Sequence, residues 1–443
     1  MLQYIKKLLR LGSKYKMKNY SNVMIRIIYI WILYIVYNYC LDTFVFGISF
    51  TAKLIFISIF IIAYIFDLLD FTEQKFRIRH IIYFFVIDAF FAGMFYSLVR
   101  TFGMFITFGI LFLAQISLKW VIQQFVVKRY KVVIYGQTKN NAQIVHSLIS
   151  NIQYEYIGFI SNKRTEESQY LGTIEEIEEI IKVNNIDKII ITIDKLNDHE
   201  MDKLINFKVN GIDIITYKEF NEQIEQKIDI TYIDKIWLLE SMGFEILHNT
   251  TQQKIKRLFD IIFSIILLII TFPIIIVTGI IIKMTSKGPV FFRQKRLGLK
   301  NAEFEITKFR SMKVHDQNEF SKYADENDPR VTKFGKFIRK TRIDELPQLI
   351  CILKGDMSFV GPRPEWNELC YEYMRNIPYY NLRHLIKPGV TGWAQVMYPY
   401  GMSVEDAYRK LEYDLYYMKH QDIMFDLKIV FRTVKTVIFA KGI

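Results

Sequence analysis

Between residues 23 and 127 the chain is predominantly apolar, broken only by short polar punctuation. Four runs, at 23–41, 50–66, 81–99 and 102–118, are each near the roughly 20 residues a helix needs to cross bilayer hydrocarbon, the second and fourth at the short end. The pattern predicts four spanning helices. A cleaved signal peptide is not expected, because the first run is too long and no small-residue cleavage site follows it. Arg26 and Lys53 fall near the ends of their runs, where long cationic side chains snorkel to the interface. Asp88 lies deeper, and an ionisable group there is a functional candidate by default.

Composition narrows the rest. Three cysteines (Cys40, Cys351, Cys370) lie far apart, and the seven histidines neither cluster nor form HExxH. A secreted disulfide scaffold is excluded and a zinc site is not expected. Basic residues set the orientation. Lys6, Lys7, Arg10, Lys14, Lys16 and Lys18 precede the first run; Lys75, Arg77 and Arg79 separate the second from the third. Lys119, Lys128, Arg129 and Lys131 follow the fourth, and the alternate loops carry little beyond Asp42 and Arg100. The positive-inside rule places the N-terminus and everything after Lys119 in the cytoplasm.

A strand–helix alternation occupies 129–247: KVVIYG (131–136), a helix over 140–150, YEYIGFI (154–160) and a helical run at 174–183. KIIITI (188–193), a helix over 199–207 and IDIITY (212–217) continue it. This predicts a doubly wound parallel sheet, an α/β Rossmann-like domain. Its first turn reads Gly136-Gln137-Thr138-Lys139-Asn140-Asn141, lacking two glycines of the dinucleotide fingerprint. Ser161-Asn162-Lys163, rather than an acidic residue, ends the second strand. NAD is not expected to bind; the domain reads as a regulatory or connecting module.

A fifth apolar segment, 261–282, carries Pro273 near its middle, where proline removes a backbone hydrogen bond and kinks a helix. Lys254, Lys256 and Arg257 precede it; Lys283, Lys287, Arg293, Lys295 and Arg296 follow. Both clusters favour the cytoplasm. The segment is therefore expected to dip into one leaflet and return, broken at Pro273, rather than to span. Residues 252–443 hold 31 Lys plus Arg against 20 Asp plus Glu, which is +11 of the chain's +13. Beside a membrane segment this excess suits anionic headgroups and a phosphorylated substrate. Nucleic acid is not expected, since no helix-turn-helix, finger or RNA-binding signature is present.

Within this block RKTRIDELPQLICILKGD (339–356) reads as a basic stretch entering a helix. Asp344 is placed as its N-cap, Glu345 and Pro347 in the first turn, and Gly355 at the C-terminal cap. Capping is the ordinary task of such an aspartate. A second carboxylate beside it, the crowding of Arg339, Lys340 and Arg342, and an anion-favouring helix N-terminus point further. They describe a carboxylate kept ionised beside phosphate, the charge compensation that a carboxylate nucleophile needs from cations or Mg²⁺.

The block contains, in order, Lys256-Arg257-Leu258-Phe259-Asp260, the Pro273 segment and Gly288-Pro289-Val290-Phe291-Phe292-Arg293-Gln294. Lys308-Phe309-Arg310-Ser311-Met312, Asp328-Pro329-Arg330-Val331-Thr332, Asp344-Glu345-Leu346-Pro347-Gln348 and Gly355-Asp356-Met357-Ser358 come next. Val360-Gly361-Pro362-Arg363-Pro364, Lys387-Pro388-Gly389-Val390-Thr391-Gly392-Trp393 and Tyr413-Asp414 complete the series. This ordered set resembles the bacterial sugar transferase family, the monotopic polyprenyl-phosphate phosphoglycosyl transferases that begin capsule, exopolysaccharide and O-antigen assembly. The resemblance covers nearly all of 252–443, and the four runs plus the Rossmann-like insert look like the family's large architecture. Phe272-Pro273 stands where many members have Ser-Pro, so the helix break would rely on Thr271, other neighbours or water.

The resemblance implies a fold and a chemistry. The domains would be a four-helix transmembrane region (1–128), a Rossmann-like cytoplasmic domain (129–250) and a mainly α catalytic domain (251–443) with a re-entrant helix at 261–282. Asp344 would attack the β-phosphate of a UDP-sugar, release UMP and pass the phosphosugar to polyprenyl phosphate by a ping-pong route. Glu345 would help hold Mg²⁺ with Asp344 or manage the acceptor's proton. Lys308, Arg310, Arg339 and Arg363 would contact phosphates, guanidinium forks matching phosphate oxygens. The setting would be a bacterial inner membrane, with the catalytic domain on its cytoplasmic face, and a homo-oligomer is compatible with it. A glycosyl transferase releasing UDP, and a non-catalytic membrane scaffold, are the alternative classes.

Overall fold

The computed structural model describes residues 14–45, 50–66, 68–71, 78–99, 102–127, 129–136, 141–162, 169–193, 195–233, 243–313, 330–399, 401 and 403–438. The chain forms two compact units, Met1–Phe220 and Asn221–Ile443.

The apolar runs of the first unit form helices α1 (Lys14–Phe44), α2 (Phe50–Ile65), α3 (Ile78–Val99) and α4 (Gly103–Val121). Their shared core includes Tyr29, Leu33, Tyr37, Ile59, Phe84, Phe95, Phe108 and Leu111, while Trp31, Phe85, Phe90 and Leu113 point outward. Apolar residues on both the inner and the outer face are what a bilayer solvent demands. Among the described residues, Met24–Phe44, Gly103–Val126 and Thr250–Thr285 are long and apolar enough to cross a membrane; Thr51–Tyr64 and His80–Tyr96 are shorter apolar helices.

Two basic side chains reach the turn that follows α2. Arg26 is half-buried, its Nε donating to the carbonyl of Leu69 at 2.9 Å. Lys119 is no loop charge but sits inside α4, fully buried, its Nζ donating to Leu68 O at 2.5 Å. Gln123 Nε2 reaches Phe71 O at 3.3 Å. These donors satisfy buried carbonyls of a turn that has no ladder partner. Lys53 is exposed. Asp88 is buried, and Gln115 Nε2 lies 3.5 Å from its Oδ1, a partner 27 residues away that no local pattern reveals. Lys6, Lys7, Arg10, Lys75, Arg77, Arg100 and Lys128 lie outside the described residues.

The Rossmann-like pattern folds as read. Strands β1 (Tyr130–Tyr135), β2 (Tyr154–Ile160), β3 (Tyr170–Gly172), β4 (Lys188–Ile191) and β5 (Asp213–Thr216) form one sheet in the order 3-2-1-4-5. Every pairing is parallel, with α5 (Asn141–Ser150), α6 (Ile177–Asn184) and α7 (Asp198–Val209) as connections. Val133, Tyr135, Ile160, Ile177, Ile189, Leu204 and Ile214 form its core. Strand β3 escapes the sequence reading because three residues carry no period. Gly136 adopts φ +117°, and a Cβ there would stand 2.5 Å from Ile193. Residues 137–140 and Lys163 of the candidate cofactor turn lie outside the described residues.

The second unit begins within α8 (Tyr217–Glu225). Ile228, Ile230, Ile233 and Ile246 join the core of Trp393, Leu411, Leu415 and Ile429, and Trp393 Nε1 donates to Gln226 O at 2.8 Å. Helix α9 (Thr250–Thr285) is capped by Asn249 and continues through Pro273 for 36 residues, where the sequence predicts a break. Thr271 Oγ1 donates to Leu267 O at 2.6 Å in the turn ahead of the proline. Before Pro273, Lys256 pairs with Asp426 (2.7 Å), and Asp260 Oδ1 accepts from Ser358 Oγ (3.0 Å) and Phe359 N (2.8 Å). After it, Ile275 and Ile282 pack on Phe309 and Ile338. The hairpin β6 (Phe291–Leu297)–β7 (Glu303–Phe309), helices α10 (Lys333–Lys340) and α11 (Gln348–Lys354), and the parallel pair β8 (Ser358–Val360)–β9 (Gly389–Thr391) come next. Helices α12 (Asn367–Asn376), α13 (Trp393–Met397), α14 (Val404–His420) and α15 (Ile423–Ile438) complete this mainly helical unit. Asp328 and Pro329 lie outside the described residues.

Candidate active site

Asp344 and Glu345 sit together in a single 3-10 turn, Ile343–Glu345, between α10 and α11. Arg342 precedes them at φ +57°, the left-handed region that a non-glycine residue enters only when its surroundings hold it there. Asp344 is not the N-cap of α11. That helix starts at Gln348 without a side-chain cap. The physical reason is Pro347: a cap at 344 would look for the N–H of the third helical residue, and proline has none. Gly355 ends α11 at φ +98°, as expected. With seven residues, α11 offers little of the dipole that the sequence reading invokes.

Both carboxylates are buried, at 8% and 7% exposure, and their environments differ sharply. Glu345 Oε1 accepts from Lys308 Nζ at 2.9 Å and from Arg363 Nη2 at 3.2 Å, with Arg342 Nη1 at 3.6 Å. Burial pushes the Glu345 carboxyl upward, but the charges of Lys308, Arg363 and Arg342 outweigh it and hold it well below the usual range. Asp344 has no comparable escort. Its Oδ1 is buried with no hydrogen-bond partner among the described residues. Burial, then the neighbouring Glu345 charge, raises its carboxyl to about 6, with Lys308, Arg342 and Arg339 pulling the other way. Adjacent acids with opposed shifts are a recurrent mark of catalytic pairs. The sequence reading has the surrounding cations keep Asp344 ionised; in the structure burial and the Glu345 charge outweigh them and favour the neutral acid.

The remaining site residues divide. Lys308, on β7, and Arg363, in the loop after β8, converge on Glu345. Arg339 comes from α10, whose Gly335 approaches Ser311 so closely that a Cβ would stand 1.9 Å from its carbonyl oxygen; Arg339 Nε then donates to Ser311 Oγ at 2.8 Å. Arg310 turns elsewhere. Its Nη1 and Nη2 donate to the carbonyls of Lys287 (2.9 Å) and Ser286 (2.8 Å), fastening the chain just past α9. No hydrogen bond from Arg310 to Asp344 or Glu345 occurs among the described residues.

Three contributors escape the sequence reading. Arg342 stands out there only as part of a basic crowd. Gln348 follows Pro347, and its Nε2 is buried without a partner among the described residues. Arg383 donates to Asp414 Oδ2 through Nε (3.0 Å) and Nη2 (2.8 Å), and its Nη2 also reaches Arg363 O at 3.0 Å. The Tyr413-Asp414 motif signals that something buried lies there, without saying what.

As for a metal, no group of three or more His, Cys, Asp or Glu side chains that could hold one occurs among the described residues. Mg²⁺ commonly needs only one or two carboxylates alongside substrate phosphates. The orphaned Oδ1 of Asp344 suits that role better than Glu345 Oε1, which is already surrounded by cations.

The unit that carries the buried Asp344–Glu345 pair, with three cations on Glu345, also carries the long apolar helix α9, so the site belongs to a membrane-associated protein. Residues 251–440 match the family model described as bacterial sugar transferase. Over 193 residues the chain is 42% identical to the uncharacterized sugar transferase EpsL of Bacillus subtilis, covering 43% of this chain and 90% of that protein. The chain belongs to the bacterial sugar transferase family. It is also 38% identical over 231 residues to the UDP-N-acetylgalactosamine-undecaprenyl-phosphate N-acetylgalactosaminephosphotransferase of Aeromonas hydrophila, covering 52% of this chain and 53% of that one. A UDP-glucose:undecaprenyl-phosphate glucose-1-phosphate transferase of Escherichia coli is 32% identical over 276 residues, 60% of this chain and 58% of its own length. The chain thus spans little more than half the length of these two relatives.

Proposed function

We propose that this protein transfers a sugar-1-phosphate from a UDP-sugar to polyprenyl phosphate, the activity carried in the names of its Aeromonas and Escherichia relatives. The observation that carries the reading is the unpartnered, buried Oδ1 of Asp344 beside a Glu345 that three cations keep ionised. A carboxylate with a free oxygen can form a bond; one saturated by cations can organise the charges around it. Asp344 attacks the β-phosphorus, the bond from that phosphorus to the bridging oxygen breaks, and UMP leaves with the oxygen. An oxygen of polyprenyl phosphate then attacks the same phosphorus, the aspartyl–phosphorus bond breaks, and the Asp344 carboxylate is restored. Lys308, Arg363, Arg342 and Arg339 bind and orient the phosphoryl oxygens. Mg²⁺ held by the Asp344–Glu345 pair would neutralise charge on the diphosphate.

The membrane arrangement belongs to the same reading. Helices α1 to α4 are four spans, α9 enters and leaves on one face, and residues after Lys119 lie in the cytoplasm of a bacterial cell, behind the inner membrane. Packing supports the re-entry: Lys256 and Asp260 before Pro273, and Ile282 after it, are anchored to one folded body, which cannot straddle a bilayer. The Rossmann-like sheet is a connecting or regulatory module, and a homo-oligomer is compatible with the whole.

The test uses the full chain in membranes, given a UDP-sugar labelled in its β-phosphate. Without polyprenyl phosphate, wild type is expected to trap label on the protein and release UMP, and Asp344→Asn to do neither. Product formation by wild type with both substrates, yet no trapped label in a single turnover, would replace double displacement with direct attack by the lipid phosphate. Release of UDP would instead identify a glycosyl transferase.

A further inference from the structure

Arg257 and Lys387, from two motifs that the transfer reaction leaves unused, converge at Gly355. Arg257 lies on α9, four residues before the apolar segment begins. Its Nη1 and Nη2 donate to the carbonyls of Ile352 (2.5 Å) and Leu353 (2.8 Å), at the end of α11. Lys387 opens the Lys387-Pro388-Gly389 turn into β9. A methyl group on the Cα of Gly355 would stand 3.6 Å from Arg257 Nη2 and 3.6 Å from Lys387 Nζ. Two cationic nitrogens therefore flank one point that the missing side chain leaves open.

Neither cation has a carboxylate at ion-pair distance among the described residues. Arg257 spends its bonds on carbonyls, and Lys387 has no hydrogen bond or ion pair there. The charges felt by Lys387 are those of Arg257, Asp260 and Asp356, not of Asp344 or Glu345. Asp260 is committed to Ser358 and Phe359, and Asp356 is exposed. Burial, followed by repulsion from Arg257, lowers the affinity of Lys387 for its proton. An anion between the two cations would reverse that penalty. A guanidinium with unused N–H groups beside an ammonium matches tetrahedral oxyanions. Arg257 also lies only ~6 Å along the helix from the apolar segment.

The geometry points to a phosphoryl-oxyanion site made by Arg257, Lys387 and the open face of Gly355, separate from the Asp344–Glu345 pair. Its ligand is the phosphate of an anionic lipid headgroup or a free phosphate in solution.

The experiment tracks the apparent melting temperature of the full chain in neutral detergent, titrated with phosphatidylglycerol, phosphatidylcholine or inorganic phosphate. Phosphatidylglycerol should stabilise wild type and Lys387→Arg, whereas Lys387→Gln should need about tenfold more lipid for the same shift. A Lys387-dependent shift with inorganic phosphate alone would keep the site and assign its ligand to solution. Equal responses of wild type and Lys387→Gln to phosphatidylglycerol and to inorganic phosphate would overturn it. Amine acetylation of wild-type Lys387, read by mass spectrometry, does not depend on a variant folding. Protection by phosphatidylglycerol or phosphate is expected, and unchanged reactivity with both sinks the proposal.

Discussion

The guanidinium of Arg383 grips the buried carboxylate of Asp414 with two nitrogens, Nε at 3.0 Å and Nη2 at 2.8 Å. Nη2 also holds the carbonyl of Arg363, whose own guanidinium reaches Glu345. A buried pair 31 positions apart in sequence therefore sets where an active-site cation stands. Removing one partner leaves an uncompensated buried charge. Asp414→Ala should cost about 3–5 kcal/mol, read as a lowered denaturation midpoint of the detergent-solubilised chain. A loss under about 1 kcal/mol would mean that the pair is solvated and does not position Arg363.

The pH dependence stems from the opposed shifts of the two carboxyls. Asp344, raised to about 6, loses its nucleophilic charge as pH falls through that value, so kcat should drop on the acid side of about 6. Glu345, held low, stays ionised there. Stability runs the other way for Asp344. Because its folded-state affinity for a proton exceeds the unfolded one, the fold loses stability as pH rises from 3.8 to about 6, and the strain is absent below both values. Asp344→Asn should therefore raise the melting temperature by a few degrees at pH 8, corresponding to roughly 2 kcal/mol, and change little at about pH 3, below both values. A variant less stable than wild type at pH 8 contradicts this account of the site.

Gln348 carries a similar signature in neutral form. Its buried Nε2 lacks a partner among the described residues, and Gln348 follows Asp344 by four positions in the chain. An unsatisfied buried donor costs about 1–3 kcal/mol. Gln348→Met removes that cost and also any bond to a phosphoryl oxygen. Stability should hold or rise while kcat/KM falls by about tenfold or more. Unchanged kinetics would make Gln348 a packing residue.

These relationships show what the sequence could express. The strand and helix periods at 129–217 survive almost residue for residue, because alternation and amphipathicity are local properties. Lys308, Glu345 and Arg363 are recognisable through family motifs, and they meet at one oxygen. Asp344 reads as a cap because its neighbours fit a cap, yet one missing N–H at Pro347 moves it into the turn before. Arg310 looks like the other cations and serves the chain after α9 instead. Arg383–Asp414, Asp88–Gln115 and the burial of Lys119 depend on residues distant in sequence, which no window of neighbours contains.

Pro273 offers the sharpest test of how the membrane helix and the site are joined. The apolar segment 261–282 has 22 residues, and a straight helix of that length is ~33 Å long, enough to cross the hydrocarbon. The chain beyond Pro273 is tied to the site: Ile275 and Ile282 pack on Phe309 and Ile338, and the carbonyls of Ser286 and Lys287 hold Arg310, two residues from Lys308. Replacing Pro273 by alanine restores the hydrogen bond that proline forbids and favours a straighter axis. The far half would then swing relative to β7 and carry Lys308 away from Glu345. UMP release by Pro273→Ala should fall about tenfold or more although no residue near Asp344 has changed. Cysteines placed beside Lys254 and Lys295 report the topology at the same time. In wild type both should be modified from the cytoplasmic side; in Pro273→Ala a fraction of the second should become reachable from outside. Full activity with unaltered labelling would mean that the contacts of Lys256, Asp260 and Ile282 enforce the re-entry without the proline. Labelling beside Lys295 only from outside in wild type would remove the re-entry itself and make α9 an ordinary span.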